Sequence, residues 1–166
     1  MQRRVIPYLS LDWLVMGFTN GIPEYGIHDK LWPNEIAERL WDYLKAMLKS
    51  IIWSDSDIII EGEAILPELI SEFLKKHPNG IRVCFLGYAH ISVTKKMKEV
   101  YEFQRDKKDW LTKEPEQYVE DHIRNMVDYS KRIEKTCAQH SLCYFDTSNN
   151  FTNTLDQAME YLLKGL

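Results

Sequence analysis

Three β-branched residues in a row, Ile58-Ile59-Ile60, run straight into Glu61-Gly62, and that run narrows the open folds more than any other feature. A strand with one wet face alternates apolar and polar residues. An uninterrupted apolar run predicts a strand covered on both faces, as buried parallel strands are. Parallel strands cannot be joined by a tight turn, so helical crossovers should flank this one. The sequence supplies them. From Pro33, the apolar residues Ile36, Leu40, Leu44, Met47, Leu48 and Ile51 recur at helical spacing, and Ser54-Asp55-Ser56-Asp57 breaks the pattern just before the strand. Beyond it, Pro67 opens a helix carrying Leu69, Ile70, Phe73 and Leu74, which Pro78-Asn79-Gly80 closes. Ile81 to Leu86 then reads as a second buried strand.

The rest of the chain follows the same alternation. Val5 to Leu11, interrupted by Pro7, suits the start of a strand at or near a sheet edge, and a loop containing Gly17, Gly21, Pro23 and Gly26 is expected after it. Ser92 is placed to cap a Lys-rich helix reaching about Gln104, and Pro115 sits near the start of a longer one. Along that helix Val119, Ile123, Met126, Val127, Ser130, Ile133 and Cys137 form a narrow apolar or small-residue stripe. Leu142 to Phe145 is the last expected strand, and Thr152 is expected to cap a final helix. Strand and helix in alternation imply an α/β fold with parallel strands, and 166 residues suit one domain.

Composition excludes several classes of function. The net charge is -4, and basic residues are interspersed with acidic ones, so no phosphate-tracking stripe exists and nucleic acid is not an expected partner. No apolar run approaches the roughly 18 residues of a membrane span, and no secretory h-region follows Arg3-Arg4. Cys84, Cys137 and Cys143 are an odd set without C-x-x-C spacing and read as reduced core residues. A cytoplasmic location is the expectation.

Four short segments in order carry a resemblance: Ser10-Leu11-Asp12 after the first strand, Asp57 to Gly62 on the second, Phe85-Leu86-Gly87 on the third and Tyr144 to Ser148 on the fourth. Their order and spacing resemble the P-loop kinases of the adenylate-kinase and nucleoside-kinase type, over nearly the whole chain. The resemblance implies a three-layer parallel sheet with flanking helices and a helical lid at about residues 92–132. It also implies transfer of the γ-phosphoryl of ATP, with Mg²⁺, to a small-molecule acceptor. Asp12 matches the residue that faces the acceptor, and Glu61 the carboxylate near the metal. Arg105, Lys107, Lys108 and Arg124 match the lid cations, and Asp146, Thr147 and Ser148 the loop beside the nucleotide base. Phosphoryl transfer asks for such residues because positioning and charge neutralisation supply most of its catalysis.

The departure from the family is large. None of the seven glycines opens a G-x-x-x-x-G-K-[ST] loop, the backbone cradle for phosphates. Matching the strands puts the family's first strand, its P-loop and its first helix before Met1. The missing strand lies at the centre of the family's sheet, between the strands here at 58–61 and 81–86. A late start of the reading frame is the favoured explanation. Direct pairing of those two strands and a strand borrowed from a partner are the others, and an incomplete sheet would promote self-association. Weak or absent ATP turnover is expected of this chain.

Each residue also has a plainer reading. Asp12 could cap a turn. Glu61 resists one, because a carboxylate directly after three isoleucines is costly to bury without a partner. Each lid cation taken singly fits a solvated helix surface. Trp110 fits a packed connection, and the five histidines lack metal-ligand spacing. The alternative function is a non-catalytic pseudokinase or interaction module that binds a partner through residues 17–33 or the Lys-rich helices. Trp13, Phe18, Tyr25 and Trp32 near that loop could line an acceptor pocket or form a partner surface.

Overall fold

The computed structural model describes residues 5–104 and 109–164, which divide into two compact units, 1–81 and 82–166. The first unit holds strand β1 (Tyr8–Ser10), helix α1 (Leu11–Gly21), helix α2 (Pro33–Trp53), strand β2 (Ile59–Glu61) and helix α3 (Pro67–Lys76). The second holds strand β3 (Cys84–Gly87), helices α4 (Val93–Glu102) and α5 (Glu116–Gln139), strand β4 (Cys143–Asp146) and helix α6 (Phe151–Leu163). All four expected strands and the expected crossover helices are present. The described strands form two parallel sheets of two strands each, β1 with β2 and β3 with β4, in place of one continuous sheet.

In the first unit the ladder aligns Tyr8 with Ile59, Leu9 with Ile60 and Ser10 with Glu61. Pro7, which has no N–H to give, still accepts from the Ile59 N–H at 2.9 Å, as an edge proline can. Coverage of both faces does not extend to the isoleucine run as expected: Ile59 is 38% exposed. A two-stranded sheet offers too little surface for helices to cover both sides of each strand.

The loop expected after β1 is instead α1, despite Gly17 within it. Leu11, Val15 and Phe18 recur at i, i+4 and i+7 and are buried. Burying each contributes about 1.5–3 kcal/mol, which outweighs the roughly 1 kcal/mol that a mid-helix glycine costs. In α2, Ile36, Leu40, Leu44 and Leu48 form the buried stripe that their spacing predicts, and the Glu35 carboxylate accepts from the Trp32 N–H at 3.0 Å at its start. Trp41 of α2 meets Phe73 of α3 edge to face at 6.2 Å.

In the second unit β3 and β4 align Cys84 with Cys143 through Gly87 with Asp146. Ser92 caps α4 as expected, its hydroxyl accepting from the Lys95 N–H at 3.2 Å. The final helix begins earlier than expected. Asn150, not Thr152, is its cap and accepts from the Asn153 N–H at 3.1 Å, so Thr152 lies in the first turn. The segment expected to be a lid consists of α4, a 3-10 turn at Leu111–Lys113 and most of α5. It has its own small core of Ile91, Val119, Ile123 and Val127, with Met97, Val100 and Leu111 packed around it. Trp110, more than half exposed, meets His122 edge to face at 5.3 Å.

Gly62 fixes the end of β2. Its φ of +149° suits glycine, and a Cβ there would lie 2.7 Å from the Leu11 Cβ. Gly62→Ala therefore combines a backbone penalty of about 1–3 kcal/mol with overlap against a fully buried leucine. Chemical denaturation is expected to show a loss of at least about 2 kcal/mol. Gly17→Ala, whose new methyl meets nothing within 4 Å, should leave stability unchanged or raise it by up to about 1 kcal/mol.

Candidate functional site

Strand register decides which side chains meet at the C-terminal end of the first sheet. Ser10 ends β1 directly opposite Glu61 at the end of β2. Asp12 follows two residues after Ser10, exposed in the first turn of α1, where a carboxylate complements the helix dipole. The structure thus brings together two of the residues singled out from sequence. It adds two more. The Tyr8 hydroxyl donates to Glu61 Oε1 at 2.6 Å, and that bond is the main reason the phenol is held above its ordinary pKa. Glu63 follows Gly62. Its side chain keeps solvent contact, yet crowding around the carboxyl, and secondly the Asp12 charge, raise its pKa.

Three carboxylates, one already holding a phenolic hydroxyl, therefore line one end of a parallel sheet. Trp13 stands beside them, 62% exposed and edge to face with Tyr8 at 5.8 Å. Neither Tyr8 nor Glu63 was legible in the sequence. Tyr8 acts across the ladder, which one strand's sequence does not reveal. Glu63 carried one unused signal, the Glu-Gly-Glu spacing around a tight glycine.

Asp146, Thr147 and Ser148 also converge, at the C-terminal end of the second sheet, and their polar atoms are engaged with the protein. Asp146 Oδ2 accepts from the Ala89 N–H at 2.8 Å and Oδ1 from the Ser148 N–H at 3.0 Å. Thr147 donates twice to the Gly87 carbonyl, through N–H at 2.7 Å and Oγ1 at 2.9 Å. The buried Ser148 hydroxyl accepts from the His90 N–H at 3.1 Å, and Lys95 donates to the Ser148 carbonyl at 2.8 Å. His90, to which sequence assigned no role, also meets Glu134 at 2.9 Å, and that partner raises its pKa. These bonds tie the loop after β4 to the loop after β3.

Arg124 pairs with Glu120 one turn away on the surface of α5, the solvated-surface arrangement of its plainer reading. Arg105, Lys107 and Lys108 lie outside the described residues. Among the described residues no group of three or more His, Cys, Asp or Glu side chains is placed to hold a metal ion. With no phosphate-binding loop in the sequence and with Lys95 and Arg124 paired, the described residues do not fit Mg·ATP.

No helix among the described residues is long and apolar enough to cross a membrane. No family model matches the chain, and neither a curated protein nor a solved structure gives a significant match.

The knot at Asp146 generates a pH prediction. Burial works to raise its pKa, but hydrogen bonds from Ser148 and Ala89, with the nearby His90, outweigh burial and hold it below the ordinary value. A lowered folded-state pKa contributes stability that is complete above the unfolded value of about 3.9 and is lost as pH falls through the folded value. Asp146→Asn should cost about 1–2 kcal/mol at pH 7, the charge-assisted bonds being discounted for partial exposure. In urea melts across pH, the gap between the two proteins should close only below about pH 4.

Proposed function

We propose that this chain carries the acceptor side of a small-molecule kinase-like site of the P-loop superfamily type. The observation that carries the reading is the meeting of Asp12, Glu61 and Glu63 at the C-terminal end of the β1–β2 ladder, where open parallel sheets take their ligands. The fold in this reading is the three-layer parallel sheet of that superfamily. The parallel pairing of β1 with β2 and of β3 with β4 supports that reading.

Asp12 would accept a hydrogen bond from the acceptor hydroxyl and hold it in one orientation, as a carboxylate does for an attacking oxygen. Glu61, steadied by Tyr8, would take a second hydroxyl or amino donor with its other oxygen. ATP and Mg²⁺ enter only with a phosphate-binding loop, which these 166 residues do not contain. Arg124 with Arg105, and Asp146 to Ser148, keep lid and base-side roles in this reading. The bonds within the Asp146 knot favour a scaffolding contribution for those three.

Exposed aromatics favour a second reading, the interaction module. Trp13, Tyr25 and Trp32 in the first unit are each more than half exposed, and a partner could cover them.

Melting-temperature shifts separate the two, because a ligand that binds only the native state must raise the transition. Neutral polyhydroxyl compounds and nucleosides are expected to include at least one that raises it, and the rise should vanish in Asp12→Asn and in Glu61→Gln. Mg·ATP alone should give no rise. A shift that persists in both variants, or a rise with Mg·ATP alone, would contradict the proposal.

A further inference from the structure

At the opposite end of the second sheet from the Asp146 knot, Cys84 of β3 lies in register with Cys143 of β4. Partners in a parallel ladder project their side chains from the same face, and their strands run about 4.7–4.9 Å apart. That spacing falls inside the roughly 4.4–6.8 Å between Cα atoms that a disulfide spans. Neither cysteine is bridged, and both are half-buried, within reach of a small oxidant. The third cysteine, Cys137 of α5, is fully buried and has no place in the ladder. Tyr161 of α6 lies near the pair: the Cys143 side chain above all, and then burial, raise the pKa of its phenol.

We infer that Cys84 and Cys143 form a reversible dithiol–disulfide site, closed by hydrogen peroxide or a related peroxide and reopened by a thiol. The Cys143 sulfur attacks one peroxide oxygen. An S–O bond forms, the O–O bond breaks, and the departing hydroxide takes up the thiol proton as water. The Cys84 sulfur then displaces the hydroxyl from this sulfenic acid. The S–S bond forms as the S–O bond breaks, and the Cys84 proton leaves with the hydroxyl as a second water. Two thiols have lost two electrons and the peroxide has gained them.

Burial, and secondly the neighbouring thiol, push the Cys84 thiol up to about 11, which leaves it little thiolate at neutral pH and suits it to the second step. Closing the bond pins β3 to β4. The site shares no residue with the acceptor-side reading. The pair lies three residues along the strands from Gly87 and Asp146, about 10 Å away.

The full chain, reduced and then treated with hydrogen peroxide under native conditions, is denatured in iodoacetamide and mapped by mass spectrometry without reductant. The expected result is a monomer that has lost two hydrogens, with one linked peptide joining Cys84 to Cys143. Only Cys137 should be alkylated, and dithiothreitol should restore all three alkylations. In Cys84→Ala, the same treatment should leave Cys143 as a sulfenic acid that dimedone captures. Three alkylatable thiols after treatment, a bond that includes Cys137, or a bond joining two chains would overturn the inference. So would dimedone capture confined to Cys84 in Cys143→Ala.

Discussion

The seat of Gly62 on Leu11 is the contact on which the first unit's chemistry depends. Leu11 is fully buried at the start of α1, and its Cβ leaves no room for a side chain at the residue that ends β2. That approach lets the two strand ends turn away from the ladder side by side. The carboxylates on either side of Gly62 are thereby carried to the same edge as Asp12. A glycine is required because the backbone must adopt a φ of +149° and pass a neighbour at contact distance. An acidic edge of this kind is costly unless something offsets the mutual repulsion of its charges. Tyr8 offsets part of it by donating to Glu61, and exposure to water screens Asp12.

The second unit solves a related problem by different means. Its strands also end side by side, at Gly87 and Asp146, but there the loops are bonded to each other through one carboxylate, two hydroxyls and the backbone. Gly87 again leaves no room for a side chain, this time beneath the Tyr144 hydroxyl, which has no hydrogen-bond partner among the described residues. Burial above all raises that phenol's pKa. Polar groups used this way rigidify a turn. The two sheet ends therefore differ in kind: one presents carboxylates to solvent, and the other consumes its polar atoms internally.

Much of this was legible from residue patterns. The apolar spacing of α2 and the stripe of α5 identified buried helix faces, and the strand positions followed from short apolar runs. What misled was local chemistry read without its packing. Gly17 and Gly21 suggested a loop, yet Leu11, Val15 and Phe18 bury enough surface to make the segment helical. Thr152 was a plausible cap, but Asn150 reached the first free N–H groups sooner. At the site, Asp12 and Glu61 could be proposed because each follows a strand. Tyr8 and Glu63 depend on register and on the turn at Gly62, and Asp146 to Ser148 owe their role to partners some sixty residues earlier. Sequence identifies a residue's type and its place on an element; the partner comes from the fold.

In the proposed function, the end of the β1–β2 ladder is where this chain receives a ligand. Amide chemical shifts of the ¹⁵N-labelled chain, followed while a panel of neutral polyols and nucleosides is titrated in, test it most directly. The compound that binds is expected to move the resonances of Ser10, Asp12 and Glu61 to Glu63 first and furthest. Shifts centred instead on Tyr25 and Trp32, with the strand ends unmoved, would contradict it and favour a surface that docks a partner.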